Sequence, residues 1–474
     1  MSRHRLPVAV VGGGSAGISA VAALAGSGKR QVIWYDVPQH RSQRAFAVGE
    51  LQAYRCVPAN TKVDKLLGPG CFGHPVLAPW IAGSEPAQAA LRELREQAEA
   101  IPELEPFDPA PDGWVGLDPC RVVYAHIGEA LARSEHVTCI PARVEQVRYV
   151  SSSRPSRDGN DTSDGQWTVC TEGQQFPEMQ ASALVLATGG TPRRVVLPLP
   201  ESPVASTSGL ATATTAGGSI TEVPLRTALD PEQLSHALRS AAPVADGEGT
   251  SKEVCVAVIG NSHTGVVVLD HCRRIGVKVY LIGRRPIRHA EWVAEQSDYR
   301  YTMSGLKGRG SAIGRWLDGE AQSQTLTAAT DEELQRSLVA IGCTHVVQAV
   351  GFEGAPLPKL TIDAVPIPWS AEALVREPET SQLHLAGRPF TPYPRTAKSE
   401  GAGIAGEGEA APSLQLHRVY GLGLCFPEDE GYCRPSPDER PTGFSFANNC
   451  AARLAADLDR MDSASQGTLR VPTL

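Results

Sequence analysis

The chain has 474 residues and a formal net charge of −8, which is room for two or three domains that each bury a core. Its acidic balance, with a pI near 5.9, gives no overall positive field to draw it to nucleic acid or anionic lipid, so neither is an expected partner. No run approaches the ~20 apolar residues of a membrane span, and the ordered pattern starts almost at once at Pro7, so the cytoplasm is the expected location. The 11 cysteines contain no C-x-x-C pair and no Cys/His cluster at zinc spacing, which excludes a dithiol relay and a structural zinc site.

Apolar runs of strand length alternate with helical patterns along the chain, predicting an α/β architecture. Val8 to Val11 is the first such run. It leads into Gly12, Gly13, Gly14, Ser15, Ala16 and Gly17, and then into a helical pattern from Ile18. Read as G-x-G-x-x-G, Gly12 makes the tight turn, Gly14 lets a pyrophosphate approach the backbone, and Gly17 lets helix and strand pack closely. Phosphates would then lie on the helix N-terminus, where free N–H groups and the macrodipole favour anions. A second strand, Gln31 to Tyr35, ends in Asp36, whose carboxylate is placed to accept from ribose hydroxyls.

Three stretches interrupt the alternation. Ser151 to Gly165 is polar and turn-rich, and Thr396 to Pro412 is dominated by Gly, Ala and Glu; both read as surface insertions that bury too little apolar area to offset their ordering entropy. Ser202 to Ile220, rich in Ser, Thr, Ala and Gly, reads as an excursion between domains.

The strand–turn–helix unit then recurs. Glu253 to Ile259 is followed by Gly260, Asn261, Ser262, His263, Thr264, Gly265 and an apolar helix. Ser262 stands at the middle glycine position, small enough to keep the backbone approach open and carrying a hydroxyl of its own. His263 is either a phosphate or nicotinamide contact or a plain first-turn polar residue. The next strand, Lys278 to Ile282, ends in Gly283, Arg284 and Arg285 where a fold selective for NAD usually carries an acid. Paired guanidiniums suit a 2′-phosphate, so NADPH is the expected coenzyme. Two solvated surface arginines are the alternative.

Ala183 to Pro192 (ALVLATGGTP) and Thr344 to Phe352 (THVVQAVGF) each close an apolar strand on glycine. With the two fingerprints, they make the chain resemble the two-dinucleotide-binding flavoprotein superfamily, without its redox dithiol and with motifs ordered as in the flavin monooxygenases related to lysine and ornithine N-hydroxylases. The resemblance implies two Rossmann-like domains, the NADPH domain (221–379) inserted in an FAD domain (1–220 and 380–474). It implies that FAD is held by the first unit, with Ala187, Thr188 and Gly189 on the return strand and Val144 beside the adenine. It also implies an NADPH-utilising oxidoreductase acting on a small molecule, which the sequence does not name.

In that architecture Val48 to Leu66 approaches the flavin ring. There Asn60 and Thr61 are either contacts to the flavin edge, which makes Asn60 the candidate catalytic residue, or the capped start of a helix. Lys62 would steer an anion. Cys56, with Arg55 beside it, gives the alternative of a single-cysteine oxidase, and a non-catalytic redox sensor or scaffold is a third reading. Two strands compete to complete the first domain, Leu383 to Gly387 and Tyr420 to Phe426; the helix Phe444 to Leu458 follows them.

Overall fold

The computed structural model describes residues 5–37, 66–99, 117–151, 165–195, 197, 212–215, 218–240, 253–293, 298–300, 305–306, 308–319, 321–370, 373–377, 380–385, 414–423 and 443–467. Of the expected insertion Ser151 to Gly165, 152–164 lie outside them, as do the whole of the insertion Thr396 to Pro412 and the part of the stretch from Val48 that holds Arg55, Cys56, Asn60, Thr61 and Lys62.

The chain begins as β1 (Val8–Val11), α1 (Ser15–Gly26) and β2 (Val32–Tyr35). After α2 (Ala78–Ala82), α3 (Glu85–Glu99) and α4 (Asp118–Ala132) it continues with β3 (Val137–Ile140), β4 (Val144–Val150), β5 (Gln166–Thr171), β6 (Met179–Ala181), β7 (Ala183–Leu186) and β8 (Gly190–Pro192). The second unit runs through β9 (Thr212–Thr215), β10 (Gly218–Glu222), α5 (Leu225–Ala228), α6 (Pro231–Ser240), β11 (Cys255–Ile259), α7 (His263–Arg274) and β12 (Lys278–Gly283). It is completed by the hairpin β13 (Glu291–Val293) and β14 (Asp298–Arg300), then α8 (Gly308–Asp318), β15 (Thr325–Thr327), α9 (Asp331–Ala340) and β16 (His345–Gln348). The chain returns through β17 (Phe352–Gly354), β18 (Lys359–Ile362), β19 (Val365–Ile367), β20 (Leu374–Arg376), β21 (Gln382–Leu385), β22 (Leu414–Gly421) and α10 (Gly443–Gly467).

Alternation along β1 builds the first domain. Val8 and Val10 point into one core with Ile18, Val21 and Leu24 of α1 and with Ala451, Leu454 and Leu458 of α10. Ala9 and Val11 point the other way, against Val147, Trp167 and Val169 of a second sheet. The result is three layers, helices on a seven-stranded sheet on a five-stranded sheet. The central sheet runs β20-β21-β22-β7-β1-β2-β3, and the covering sheet runs β19-β18-β4-β5-β6. From β22 to β3 the central strands are parallel, and burial on both faces explains why β1, β2 and β7 read as unbroken apolar runs.

The second domain repeats the logic with helices on both faces. Val256 and Val258 of β11 meet Val266, Leu269 and Leu234, while Ala257 and Ile259 meet Leu334 and Leu338 of α9. Its sheet is β15-β12-β11-β16-β10-β9. Helix α9 starts with a capping box, Thr330 and Glu333 each accepting from the other's backbone N–H, the arrangement that satisfies two orphan donors at once.

Strand pairing runs across the expected domain edges at 220/221 and 379/380. Thr212–Thr215 and Gly218–Glu222 already belong to the second sheet, so the end of the presumed excursion is two of its strands, with Thr221 and Glu222 lying parallel to His345 and Val346. Lys359–Ile362 is back in the first domain, pairing with β4, and Leu374–Arg376 joins the central sheet. Between the domains β8 and β17 form a short antiparallel ribbon, Pro192 opposite Phe352 and Gly190 opposite Gly354.

The competition between C-terminal strands is also decided. Val419, Tyr420 and Gly421 lie parallel to Leu184, Val185 and Leu186, whereas Gln382–Leu385 pairs antiparallel on the far side of that strand. Tyr420 is fully buried, and its hydroxyl donates to Asp457 of α10 at 2.8 Å, fastening the helix to its strand. No helix among the described residues is long and apolar enough to cross a membrane.

Candidate nucleotide-binding sites

At the C-terminal end of β1, Gly12 has φ +118° and its N–H donates to the Tyr35 carbonyl at 2.9 Å. The Trp34 indole donates to the Gly12 carbonyl, also at 2.9 Å. A Cβ on Gly12 would fall 2.1 Å from the Ala187 carbonyl oxygen, and one on Gly17 would fall 2.0 Å from that of Gly12. Both glycines are therefore required by the chain's own packing. Gly14 differs, because a Cβ there would meet nothing within 4 Å.

Gly14 is also the N-cap of α1, extended at φ −71° and ψ −177°, and no side chain caps the helix. Gly14 is exposed at the start of α1, with Ser15 half-buried and Ala16 buried behind it. This is the geometry an anion needs at a helix N-terminus. Asp36 follows β2, its N–H donating to Ile140 and its carboxylate accepting from the Val37 N–H at 2.9 Å. The carboxylate lies over Gly13, where a Cβ would be 1.9 Å from Oδ2.

The return strand closes the same turn from the other side. Ala187 donates to Val11 at 2.8 Å, and Gly189 has φ +74°. Thr188 between them is half-buried. After β22 the chain turns at Gly423, φ +84°, where a Cβ would stand 3.0 Å from Cβ of Ala16. Asn448 of α10 accepts from the Ser19 hydroxyl at 2.7 Å and donates to the Cys71 carbonyl at 3.0 Å. Neither Gly423 nor Asn448 stands in a fingerprint, and each is legible only once α10 is known to lie on α1. Val144 heads β4 opposite Thr171 and is buried between the two sheets.

The second unit repeats two backbone bonds of the first turn. Gly260 has φ +108° and donates to Ile282 at 2.8 Å, and Ala349 donates to Ile259 at 2.7 Å. A Cβ on Gly260 would lie 2.2 Å from the Ala349 carbonyl oxygen, and one on Gly265 only 1.8 Å from that of Gly260. Ser262 takes the place of Gly14 as an extended, exposed N-cap, and no side chain caps α7. His263 and Thr264 are half-buried in the first turn. A Cβ on Gly310 of α8 would stand 3.1 Å from the His263 ring.

The two units diverge at the strand end. Tyr35 is in register with Val11, and Ile282 with Ile259, so Gly283 stands where the first unit has Asp36. Arg284 and Arg285 follow and are exposed, and among the described residues neither makes an ion pair. His271, on the same helix as His263, is turned away: it is buried with Nδ1 3.2 Å from the Ala228 carbonyl, and burial lowers its pKa.

The fold is α/β, with two parallel-stranded sheets that each carry a strand, a glycine turn and a helix. No family model matches the chain. Over 231 residues it is 26% identical to the monooxygenase AgnR1 of Paecilomyces divaricatus, a match that covers 43% of this chain and 49% of that protein. The chain thus spans about half the length of this curated relative. Among solved structures it is similar to the ornithine N-hydroxylase of Kutzneria sp. 744, at TM-score 0.43 and 11% identity over 97% of this chain and 100% of the other. The bacillithiol disulfide reductase of Staphylococcus aureus gives TM-score 0.45 at 10% identity over 97% and 99% of the two chains. Ornithine hydroxylase of Pseudomonas aeruginosa gives 0.41 at 11% identity over 96% and 99%.

Thiol chemistry finds no support among the described cysteines. All eight are free. Burial pushes the thiols of Cys120, Cys272 and Cys343 up to about 12 and that of Cys139 up to about 11, whereas a reactive cysteine needs a lowered value. No group of three or more His, Cys, Asp or Glu side chains that could hold a metal occurs among the described residues.

Proposed function

We propose that the chain is an oxidoreductase that holds FAD at the first unit and NADPH at the second, and that it oxygenates a small organic molecule. One observation carries this reading. Two helices start without a side-chain cap behind an exposed N-cap residue, one beside a carboxylate and the other beside Gly-Arg-Arg. Asp36 suits ribose hydroxyls. Arg284 and Arg285 suit a phosphate, because the guanidinium presents paired donors to phosphate oxygens.

FAD held at the first unit would supply two-electron chemistry between NADPH and oxygen. The protein's share is binding and orientation. Gly12 and Gly17 set the turn, Gly14 leaves room for the pyrophosphate, and Ala187 to Gly189 hold the turn against the return strand. Val144 is assigned to the adenine side and Asn60 to the flavin edge, where its amide would hydrogen-bond the ring. The cytoplasm is the proposed location.

The name of the curated relative supports oxygenation over simple oxidase turnover. A monooxygenase consumes one oxygen and one NADPH for each substrate hydroxylated, releasing water; an oxidase returns all the oxygen as peroxide. Oxygen uptake, NADPH oxidation and peroxide release, measured together across a panel of small amines and aromatic compounds, separate the two. A compound that raises NADPH oxidation and suppresses peroxide is the expected result. Stoichiometric peroxide with every compound would reassign the chain as an NADPH oxidase.

A further inference from the structure

The small volume between glycine turn and strand end is filled in both units, from opposite walls. In the first unit the turn residue is bare Gly13 and the side chain comes from the strand end, so a Cβ on Gly13 would lie 1.9 Å from the Asp36 carboxylate. In the second unit the roles are exchanged. Asn261 stands on the turn and bare Gly283 at the strand end, where a Cβ would lie 2.3 Å from Asn261 Nδ2. The Asn261 amide then reaches past Gly283 and donates to the Arg285 carbonyl at 2.5 Å.

Two consequences follow from that exchange. An acid cannot be accommodated at Gly283 while Asn261 occupies the space, so the position from which a carboxylate would repel a 2′-phosphate stays empty of charge. The Arg284–Arg285 segment, exposed and without an ion pair among the described residues, gains a fixed backbone anchor at its second residue. Anchoring cuts the ordering cost of presenting a flexible side chain to a ligand.

We infer that Asn261 is a positioning and specificity-determining residue of the second site, holding the Arg284–Arg285 segment beside the ribose position and excluding an acid from it. This inference rests on the assignment of NADPH to that site. Asn261 bonds to the Arg285 carbonyl, so its effect on the coenzyme is exerted through Arg285. Gly283 is the other half of the device.

The test uses the FAD-loaded protein and two probes that differ only in one phosphate, adenosine 2′,5′-bisphosphate and 5′-AMP, titrated calorimetrically. The unaltered protein is expected to prefer the bisphosphate. In Asn261→Ala the preference should fall about fivefold to tenfold, the factor expected for loss of one hydrogen bond, with 5′-AMP affinity little changed. In the double variant Asn261→Gly with Gly283→Asp, which rebuilds the first unit's arrangement, the preference should disappear or reverse. Retained FAD reports that each variant is folded. If the unaltered protein shows no preference, the NADPH assignment fails and the inference with it. If it does, but Asn261→Ala keeps the ratio or weakens both probes equally, Asn261 is only a structural residue and the inference alone is overturned.

Discussion

Gly14→Val is expected to give a folded protein that retains no FAD. The side chain has room in the protein itself, since a Cβ at Gly14 meets nothing within 4 Å, and the extended backbone at φ −71° suits a β-branched residue. What the valine fills is the space at the N-terminus of α1 through which a pyrophosphate would reach the N–H groups. Losing two charge-assisted hydrogen bonds costs about 3–6 kcal/mol, or roughly two to four decades in affinity. Absorbance of the purified variant against its protein concentration gives the flavin content, and circular dichroism gives the fold. A yellow, stoichiometric Gly14→Val would remove FAD from this site. Gly17→Val is the contrast, because its side chain collides with the Gly12 carbonyl, so it is expected to lose the fold along with the cofactor.

Replacing Arg284 and Arg285 together with alanine is expected to lower kcat/KM for NADPH by about one to two decades while leaving NADH nearly unchanged. Each charge-assisted bond to a 2′-phosphate is worth roughly 1.5–3 kcal/mol before allowance for solvent. Both side chains are exposed, so screening reduces that figure, and one to two decades corresponds to about 1.4–2.8 kcal/mol. Steady-state kinetics with both coenzymes read the ratio directly. A parallel fall in NADPH and NADH would mean that the arginines shape the domain without reading the phosphate.

The glycine fingerprints were the most legible part of the chain because their constraints are steric. Gly12, Gly17, Gly260 and Gly265 each face a carbonyl oxygen closer than any side chain tolerates, and such positions leave the same mark wherever a strand turns into a helix. Buried parallel strands were legible for a related reason, since both faces of β1 and β11 are covered. The covering sheet was not. Lys359–Ile362 pairs with Val144–Val150 across more than 200 residues of sequence, and its short half-exposed pattern says nothing about which sheet it joins. That the Tyr420 strand lies beside β7 and the Leu383 strand beyond it is a matter of long-range pairing that no local pattern carries. Asn261 carries no signal of its own inside its fingerprint. Only the register of β12 against β11 shows that it occupies the space Asp36 occupies in the first unit.

The central claim is that reducing equivalents enter from NADPH at the second unit and reach FAD at the first. The most direct measurement is an anaerobic titration of the FAD-loaded protein with NADPH, and in parallel with NADH, following the loss of the yellow absorbance of oxidised flavin. The expected result is complete bleaching by one equivalent of NADPH, with NADH reducing the flavin far more slowly. A protein that takes up no FAD, or one whose bound FAD stays oxidised in excess NADPH, would contradict the assignment of both sites.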